Sequence, residues 1–303
     1  MKIRTFKELL QQYIKEKPLS EATIGSYSRI LNCFIKDTGI TDLDQVSLTT
    51  LLEWRLTVIE RSSDITWNTY LRHMRALWRF AIARSFVRLP DHFRDLNWGK
   101  YKSKKIKTIS TNQLNVIIDS LGIEGCALKP SWFWKIVVKF IFYTGVRRRQ
   151  LVTLRWTDVN LDKGIVYLSA EGEKTDKDRS LPLNDIVVSD LKQLKLMYST
   201  LGSDSCHLSH QLFNVTAFYH RYKGPEMSEE QVSGFFKRLS KHVGFQISPH
   251  MLRHTMATKI ARTGQIKTLQ AILGHSNIYT TMNFYVHPDF DELRTLINGL
   301  ERI

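Results

Sequence analysis

Between His250 and Tyr285 the chain reads HMLRHTMATKIARTGQIKTLQAILGHSNIYTTMNFY. His250, Arg253 and His254 fall within one and a half helical turns, His275 follows in a Leu-Gly-His turn, and Tyr279 and Tyr285 come after it. An arginine, neutral imidazoles and a phenol suit a phosphodiester better than a peptide or a sugar. Cutting a DNA strand without a metal makes separate demands. A nucleophile must attack phosphorus, extra negative charge on the pentacoordinate transition state must be met, and the departing 5′ oxygen needs a proton. Arginine meets the charge with a planar fork that stays protonated. A lysine can supply the proton. A tyrosine can attack and hold the strand covalently, which conserves the bond energy for resealing without ATP.

The same histidines have a second reading. His250 and His254 stand at the i, i+4 spacing of a zinc pair, but Met251 replaces the glutamate of the HExxH pattern and Arg253 lies between them. A cation there repels a metal, so neither metal nor other cofactor is expected.

Charge points the same way as the motif. The 303 residues hold 44 Lys and Arg against 29 Asp and Glu, a net charge of +15, which implies a polyanionic partner, nucleic acid before an anionic membrane. No apolar run approaches the roughly 20 residues of a membrane span, and the N-terminus lacks a signal peptide's apolar stretch. The cysteines Cys33, Cys126 and Cys206 form no CxxC pair or even disulfide framework, which fits a reducing, cytoplasmic compartment and small residues packed near cores.

The elements that must position these residues are mostly helical. Residues 1–98 read as an all-helical domain with starts at Ser20 and Ser47 and a stop near Gly39. Its most informative helix runs from about Thr66 to Arg84. Leu71, Met74, Trp78 and Ala81 form its apolar stripe, and Arg72, Arg75 and Arg79 line another face with no acid at i±4. Such a row suits DNA-backbone contacts, with a solvated basic face as the alternative. This domain carries a net charge of only +4, whereas residues 99–108, GKYKSKKIKT, hold five lysines and no acid. Lys100, Lys102, Lys104 and Lys105 in this linker are expected to lie along phosphates, a plain flexible linker being the competing view.

Residues 109–303 form the second domain. A capping box at Ser110–Gln113 opens it, and a strongly apolar core helix follows Pro130 and ends at Thr144-Gly145. From about 156 to 183 the pattern turns strand-like, broken by Asp162-Lys163-Gly164 and by a polar tip at 171–176, which predicts a small antiparallel sheet. Helices resume at 185–198 and 228–243. In the latter Phe235, Phe236 and Leu239 face inward and Lys237, Arg238 and Lys241 outward.

Four segments in order carry a resemblance to a known family. Thr144-Gly145-Val146-Arg147-Arg148-Arg149-Gln150-Leu151 resembles the first arginine box of the tyrosine recombinase (phage integrase) family. His250-Met251-Leu252-Arg253-His254-Thr255 resembles the second, Leu273-Gly274-His275-Ser276 the LGH box, and Tyr285-Val286-His287 the nucleophile segment. Between the first two, residues 173–183 are similar to a β-hairpin whose first lysine, Lys174 here, is catalytic in the family. The resemblance covers nearly the whole chain. It implies a mainly α protein, with an N-terminal helical core-binding (SAM-like) domain and a mixed α+β catalytic domain. Its members cut and rejoin DNA at specific sites through a 3′-phosphotyrosine link and a Holliday junction.

Carried over by position, the resemblance implies that Arg147 and Arg253 clamp the scissile phosphate while His250 and His275 donate hydrogen bonds or assist proton transfer. Lys174 would protonate the leaving oxygen and Tyr285 would attack. Gln150 stands where the family has an acid, so the partner that orients the site is an amide, and His254 is expected to buttress from behind. The family's tyrosine lies about nine residues past the LGH histidine, which reaches Phe284; Tyr285, one further, keeps the Tyr-x-His pattern with His287. Residues 288–303 carry the apolar stripe Phe290, Leu293, Ile297 and Leu300. In the family such a helix docks in a neighbouring subunit, implying a homotetramer on two double-stranded DNA sites. The chain resembles the simpler Xer, integron-type and mobile-element enzymes without an arm-binding domain. Two rivals remain at this level: relaxation of the type IB topoisomerase kind, and a DNA-binding accessory protein with impaired catalysis.

Overall fold

The computed structural model describes residues 3–100, 107–169, 178–201, 210–274 and 282. It divides into two compact units, Met1–Lys104 and Lys105–Ile303.

Among the described residues of the first unit five α-helices run in order: α1 (Phe6–Glu16), α2 (Glu21–Thr38), α3 (Leu48–Arg61), α4 (Asp64–Ala83) and the short α5 (His92–Asp95). The caps anticipated at Ser20 and Ser47 each accept a backbone N–H, and Gly39 ends α2 in the left-handed region that glycine tolerates. Helix α4 starts earlier than its apolar stripe indicates because Ser63 caps it. Its buried face meets an aromatic core in which Phe34 and Trp54, and Trp54 and Trp67, pack edge to face at 4.9 and 5.2 Å.

Arg75 departs from the expected row of phosphate contacts. Its Nε donates to the Phe93 carbonyl at 2.8 Å and its Nη2 to the carbonyls of Arg94 and Leu96, while its guanidinium lies 4.5 Å from the Trp98 ring centroid. The last carbonyls of a short helix need donors, and Arg75 supplies them to α5. Arg72 stays exposed, and Arg79, also exposed, faces Asp91 at 3.8 Å.

The second unit opens with α6 (Thr111–Gly122), whose capping box of Ser110 and Gln113 is present. The apolar α7 (Ser131–Thr144) is buried on nearly every side and packs against α6, α9 (Asp185–Ser199) and α11 (Pro249–Ala261). After the short α8 (Arg148–Thr153) comes a three-stranded antiparallel sheet of β1 (Val159–Asn160), β2 (Ile165–Leu168) and β3 (Arg179–Pro182). Val159 pairs with Val166 and Leu168 with Arg179. Helices α10 (Glu229–Val243) and α12 (Ile266–Leu273) complete the described set. On α10, Phe235, Phe236 and Leu239 are buried and Lys237, Arg238 and Lys241 exposed, as the pattern predicts. Among the described residues no helix is long and apolar enough to cross a membrane. The two described cysteines are free thiols, Cys126 buried and Cys33 half-buried. Cys206 and the 288–303 segment lie outside the described residues.

Candidate active site

Arg147 sits one residue before α8, and the cap of that helix fixes it. Gln150, 2% exposed, accepts the Arg147 backbone N–H on its Oε1 at 3.0 Å. The same oxygen accepts from Arg179 Nη2 on β3 at 3.5 Å. The amide thus fills the acceptor role expected of an acid, acting on the backbone of Arg147.

Just upstream, Gly145 ends α7 with φ +62°. A Cβ there would meet the end of the Met256 side chain at 2.1 Å and lie within 3.8 Å of Arg253 and Leu273. Only glycine satisfies both the backbone angle and the space. The chain can therefore turn tightly from α7 into Arg147 with α11 pressed against the turn.

Arg253 reaches into that contact. Ser248 caps α11 and Pro249 occupies its first turn, so the helix begins sharply and brings Arg253 inward to 4% exposure. Its Nη1 donates to the Gly145 carbonyl, and its Nη2 to the Leu273 carbonyl at 2.7 Å. One buried guanidinium therefore joins the turn before Arg147, the second arginine segment and the last residue of α12. Gly274 follows in the left-handed region at φ +64°, so the described chain leaves α12 through a carbonyl-clamped turn.

His250 opens onto a hollow of about 690 Å³ whose lining includes Arg147, Arg148, Lys237 and Ser248. Partial loss of water around its ring, with the guanidiniums of Arg253, Arg148 and Arg147, holds its pKa below the usual imidazole range. His254, one turn on, has its ring centroid 6.2 Å from that of His250. Desolvation, then His250 and Arg253, push its pKa down to about 4. Both imidazoles are neutral at pH 7, the form that offers a single N–H to an anion without adding charge. Among the described residues no group of three His, Cys, Asp or Glu could hold a metal ion.

The structure thus brings Arg147, Gln150, His250, Arg253 and His254 into one region. Lys174, His275, Tyr285 and the alternative Tyr279 lie outside the described residues, as do Lys102, Lys104 and Lys105. Lys100 is described and exposed.

Three participants escape sequence reasoning. Arg148 pairs with Glu229 at 2.9 Å and bonds Ser233 on α10. Thr255 Oγ1 accepts the Ile109 N–H at 2.8 Å and donates to the Met251 carbonyl, tying the start of the second unit to α11. Arg179 reaches Gln150 from a strand. Only pairing in three dimensions joins segments 29 to 146 residues apart, and no local pattern marks it.

A model described as the phage integrase family matches residues 107–292. A tyrosine recombinase XerC of Pseudomonas syringae is 30% identical over 310 residues, covering 98% of this chain. This chain spans 64% of that relative's length, and 71% of a Pseudomonas aeruginosa XerC that is 29% identical. Tyrosine recombinase XerD of Staphylococcus haemolyticus is 24% identical, with 96% of this chain and 97% of the relative covered. Among solved structures, the Tn1549 transposon integrase in complex with a circular intermediate DNA shares the fold at a TM-score of 0.78 and 22% identity, over 98% of this chain and 100% of that one. A lambda integrase tetramer bound to a Holliday junction does so at 0.73 and 17%, over 95% of this chain and 79% of that one.

Proposed function

This chain belongs to the phage integrase family of tyrosine recombinases, and we propose that it cuts and rejoins DNA at specific sites through a 3′-phosphotyrosine link and a Holliday junction. The observation that carries the reading is the Arg253 fork, which gathers the turn before Arg147, the His250 helix and the Leu273-Gly274 turn at one point.

The chemistry follows from the residues. Arg147 and Arg253 take the non-bridging oxygens of the scissile phosphate, where charge grows in the transition state. His250, a neutral imidazole, and His275 donate further hydrogen bonds. Tyr285 attacks phosphorus: its oxygen forms the bond to the 3′ phosphate as the bond to the 5′ oxygen breaks, and its proton leaves to a neighbouring base. Lys174 delivers a proton to the departing 5′ oxygen. Resealing runs these transfers backwards, with the 5′ hydroxyl of a second strand as the attacker, so no external energy source enters.

The finer reading adds a homotetramer joined through residues 288–303 on two synapsed duplexes, in the cytoplasm, in the service of a mobile genetic element. Nearly full-length likeness to XerD relatives, the positive charge and the apolar stripe of the terminal segment support it.

The test uses a duplex recovered by selecting the sequences that the chain binds. Two copies on one plasmid are expected to yield recombinants and, with slowed resealing, four-way junctions. Relaxed plasmid alone would favour topoisomerase-like action. Binding with no strand cleavage would favour an accessory protein.

A further inference from the structure

Helix α11 is gripped from two sides. On one, Arg253 donates to the carbonyls of Gly145 and Leu273. Thr255 stands two residues on, about 200° round a helix of 3.6 residues per turn, so it faces nearly away from Arg253. It is 3% exposed. Its hydroxyl donates to the Met251 carbonyl at 2.7 Å and accepts the Ile109 backbone N–H at 2.8 Å. A hydroxyl has a single proton; with that proton on Met251, the oxygen faces Ile109 as an acceptor.

Two further links flank this one. Lys107 Nζ donates to Gln246 Oε1 at 3.0 Å, just ahead of α11, and Lys259 Nζ to Thr111 Oγ1 at 3.3 Å, one turn past Thr255. Lys259 also stands 5.6 Å from the Phe142 ring centroid. From Thr255 to Lys259 the helix rises about 6 Å, and from Ile109 to Thr111 an extended chain covers about 6.6 Å. The rises match, so the segment 107–111 runs alongside α11 in the same direction, held at every second residue. Ile109 is 3% exposed and belongs to the main core of the second unit, which keeps the segment from sliding.

A plain tether has no use for such a seat. Connecting segments ordinarily run over the surface, where water satisfies their backbone groups. Here a buried N–H lies one residue past the lysine run 99–108. Its acceptor comes from the helix that carries His250, Arg253 and His254. His250 lies only about 60° from Arg253 round that helix, and it opens onto the hollow it shares with Arg147. A support behind Thr255 therefore sets how far both residues stand toward the hollow. Placement matters to the rate, since a shift of about 1 Å around a reacting atom can cost about a hundredfold.

We propose that Thr255 is a positioning residue for strand cleavage: it seats the end of the lysine run behind α11 and so sets where Arg253 and His250 stand. Duplex drawn to the lysines bears on the site through this seat. This inference rests on the recombinase reading of the site.

The test follows single-turnover cleavage of the selected duplex by the full chain, under conditions where urea unfolding shows each variant folded. Thr255→Val keeps the shape and loses the hydroxyl. Its rate at saturating duplex is expected to fall about tenfold or more, while duplex affinity stays close to that of wild type. Thr255→Ser, which keeps the hydroxyl, should restore most of the rate. Thr111→Val, remote from the hollow, should slow cleavage less, and should add less to Thr255→Val than to wild type, because links in one network are not additive. Coupling between two sites is reciprocal, so deuterium exchange at the Ile109 amide should slow when the wild-type chain binds duplex. An unchanged rate in folded Thr255→Val, a loss that Thr255→Ser does not relieve, or equal losses of rate and affinity would overturn the inference. Exchange at Ile109 that ignores duplex would do the same. Should Thr255→Val fail to fold, Thr111→Val and the exchange measurement decide between these outcomes. Wild-type chain that cleaves no duplex at all would instead sink the recombinase reading and this inference with it.

Discussion

Arg253 shows how one side chain can hold a site together. A lysine at this position keeps the charge but has no fork with which to reach two carbonyls in different directions. Arg253→Lys is therefore expected to cost about 3 kcal/mol of stability, the loss of one or two hydrogen bonds from a charged donor, measured by urea unfolding, and to abolish strand cleavage. His254 gives a prediction in pH. Its pKa falls from the ordinary 6.5 to about 4, so folding favours the neutral ring. Stability is then held above pH 6.5 and drains away as pH falls toward 4, because the unfolded chain takes up the proton first. Melting scans over this range should show a shallower decline for His254→Gln than for wild type; equal slopes would remove His254 as the cause. The residue types at His250, Arg253 and His254 and their common helix were legible in the sequence. Burial of the Arg253 guanidinium between two carbonyls was not, because those acceptors come from residues 108 and 20 positions away.

The element that aims Arg147 is the short helix α8, and its two ends of control are Gly145 and Gln150. Gly145→Ala places a Cβ on a left-handed backbone, which costs about 1–2 kcal/mol, and pushes Met256 aside. The expected result is a modest fall in melting temperature with a much larger loss of cleavage, while duplex binding in a gel-shift assay persists. At Gln150, Leu removes the acceptor for both Arg147 and Arg179, and a buried donor left without a partner costs about 1–3 kcal/mol. Glu keeps the acceptor and adds charge opposite Arg179. Gln150→Leu should therefore slow single-turnover cleavage, whereas Gln150→Glu should match or exceed the wild-type rate. Helix positions were readable because caps and apolar stripes are local signals: Ser110, Ser228 and Gly145 each mark an end that the structure keeps. Helix α5 was not, since a turn of four residues has no period to detect. For the same reason Arg75, which satisfies α5, read as one of a solvent-facing row.

At the scale of the whole molecule, charge sets how the chain meets DNA. The net +15 is concentrated in places, and the 99–108 stretch is one of them. Its start is fixed on the first unit, where Gly99 exchanges two hydrogen bonds with the Asn68 amide. Its end is fixed on the second, through Lys107 to Gln246 at 3.0 Å. Replacing Lys100, Lys102, Lys104 and Lys105 by Gln is expected to lower the slope of log affinity against log salt by about 3–4, at about 0.9 per phosphate. An unchanged slope would leave the stretch a plain tether. The target sequence was not legible, because groove readout depends on side chains whose partners are bases and on the stiffness of the DNA itself. The account as a whole turns on a tyrosine that takes the strand. Incubation with a duplex nicked beside the scissile phosphate, followed by peptide mass spectrometry, should find a 3′-phosphonucleotide adduct on Tyr285, lost in Tyr285→Phe and in Arg253→Lys. An adduct that survives Tyr285→Phe, or maps to Tyr279, would contradict the assignment of the nucleophile, and its absence from the wild-type chain would contradict catalysis itself.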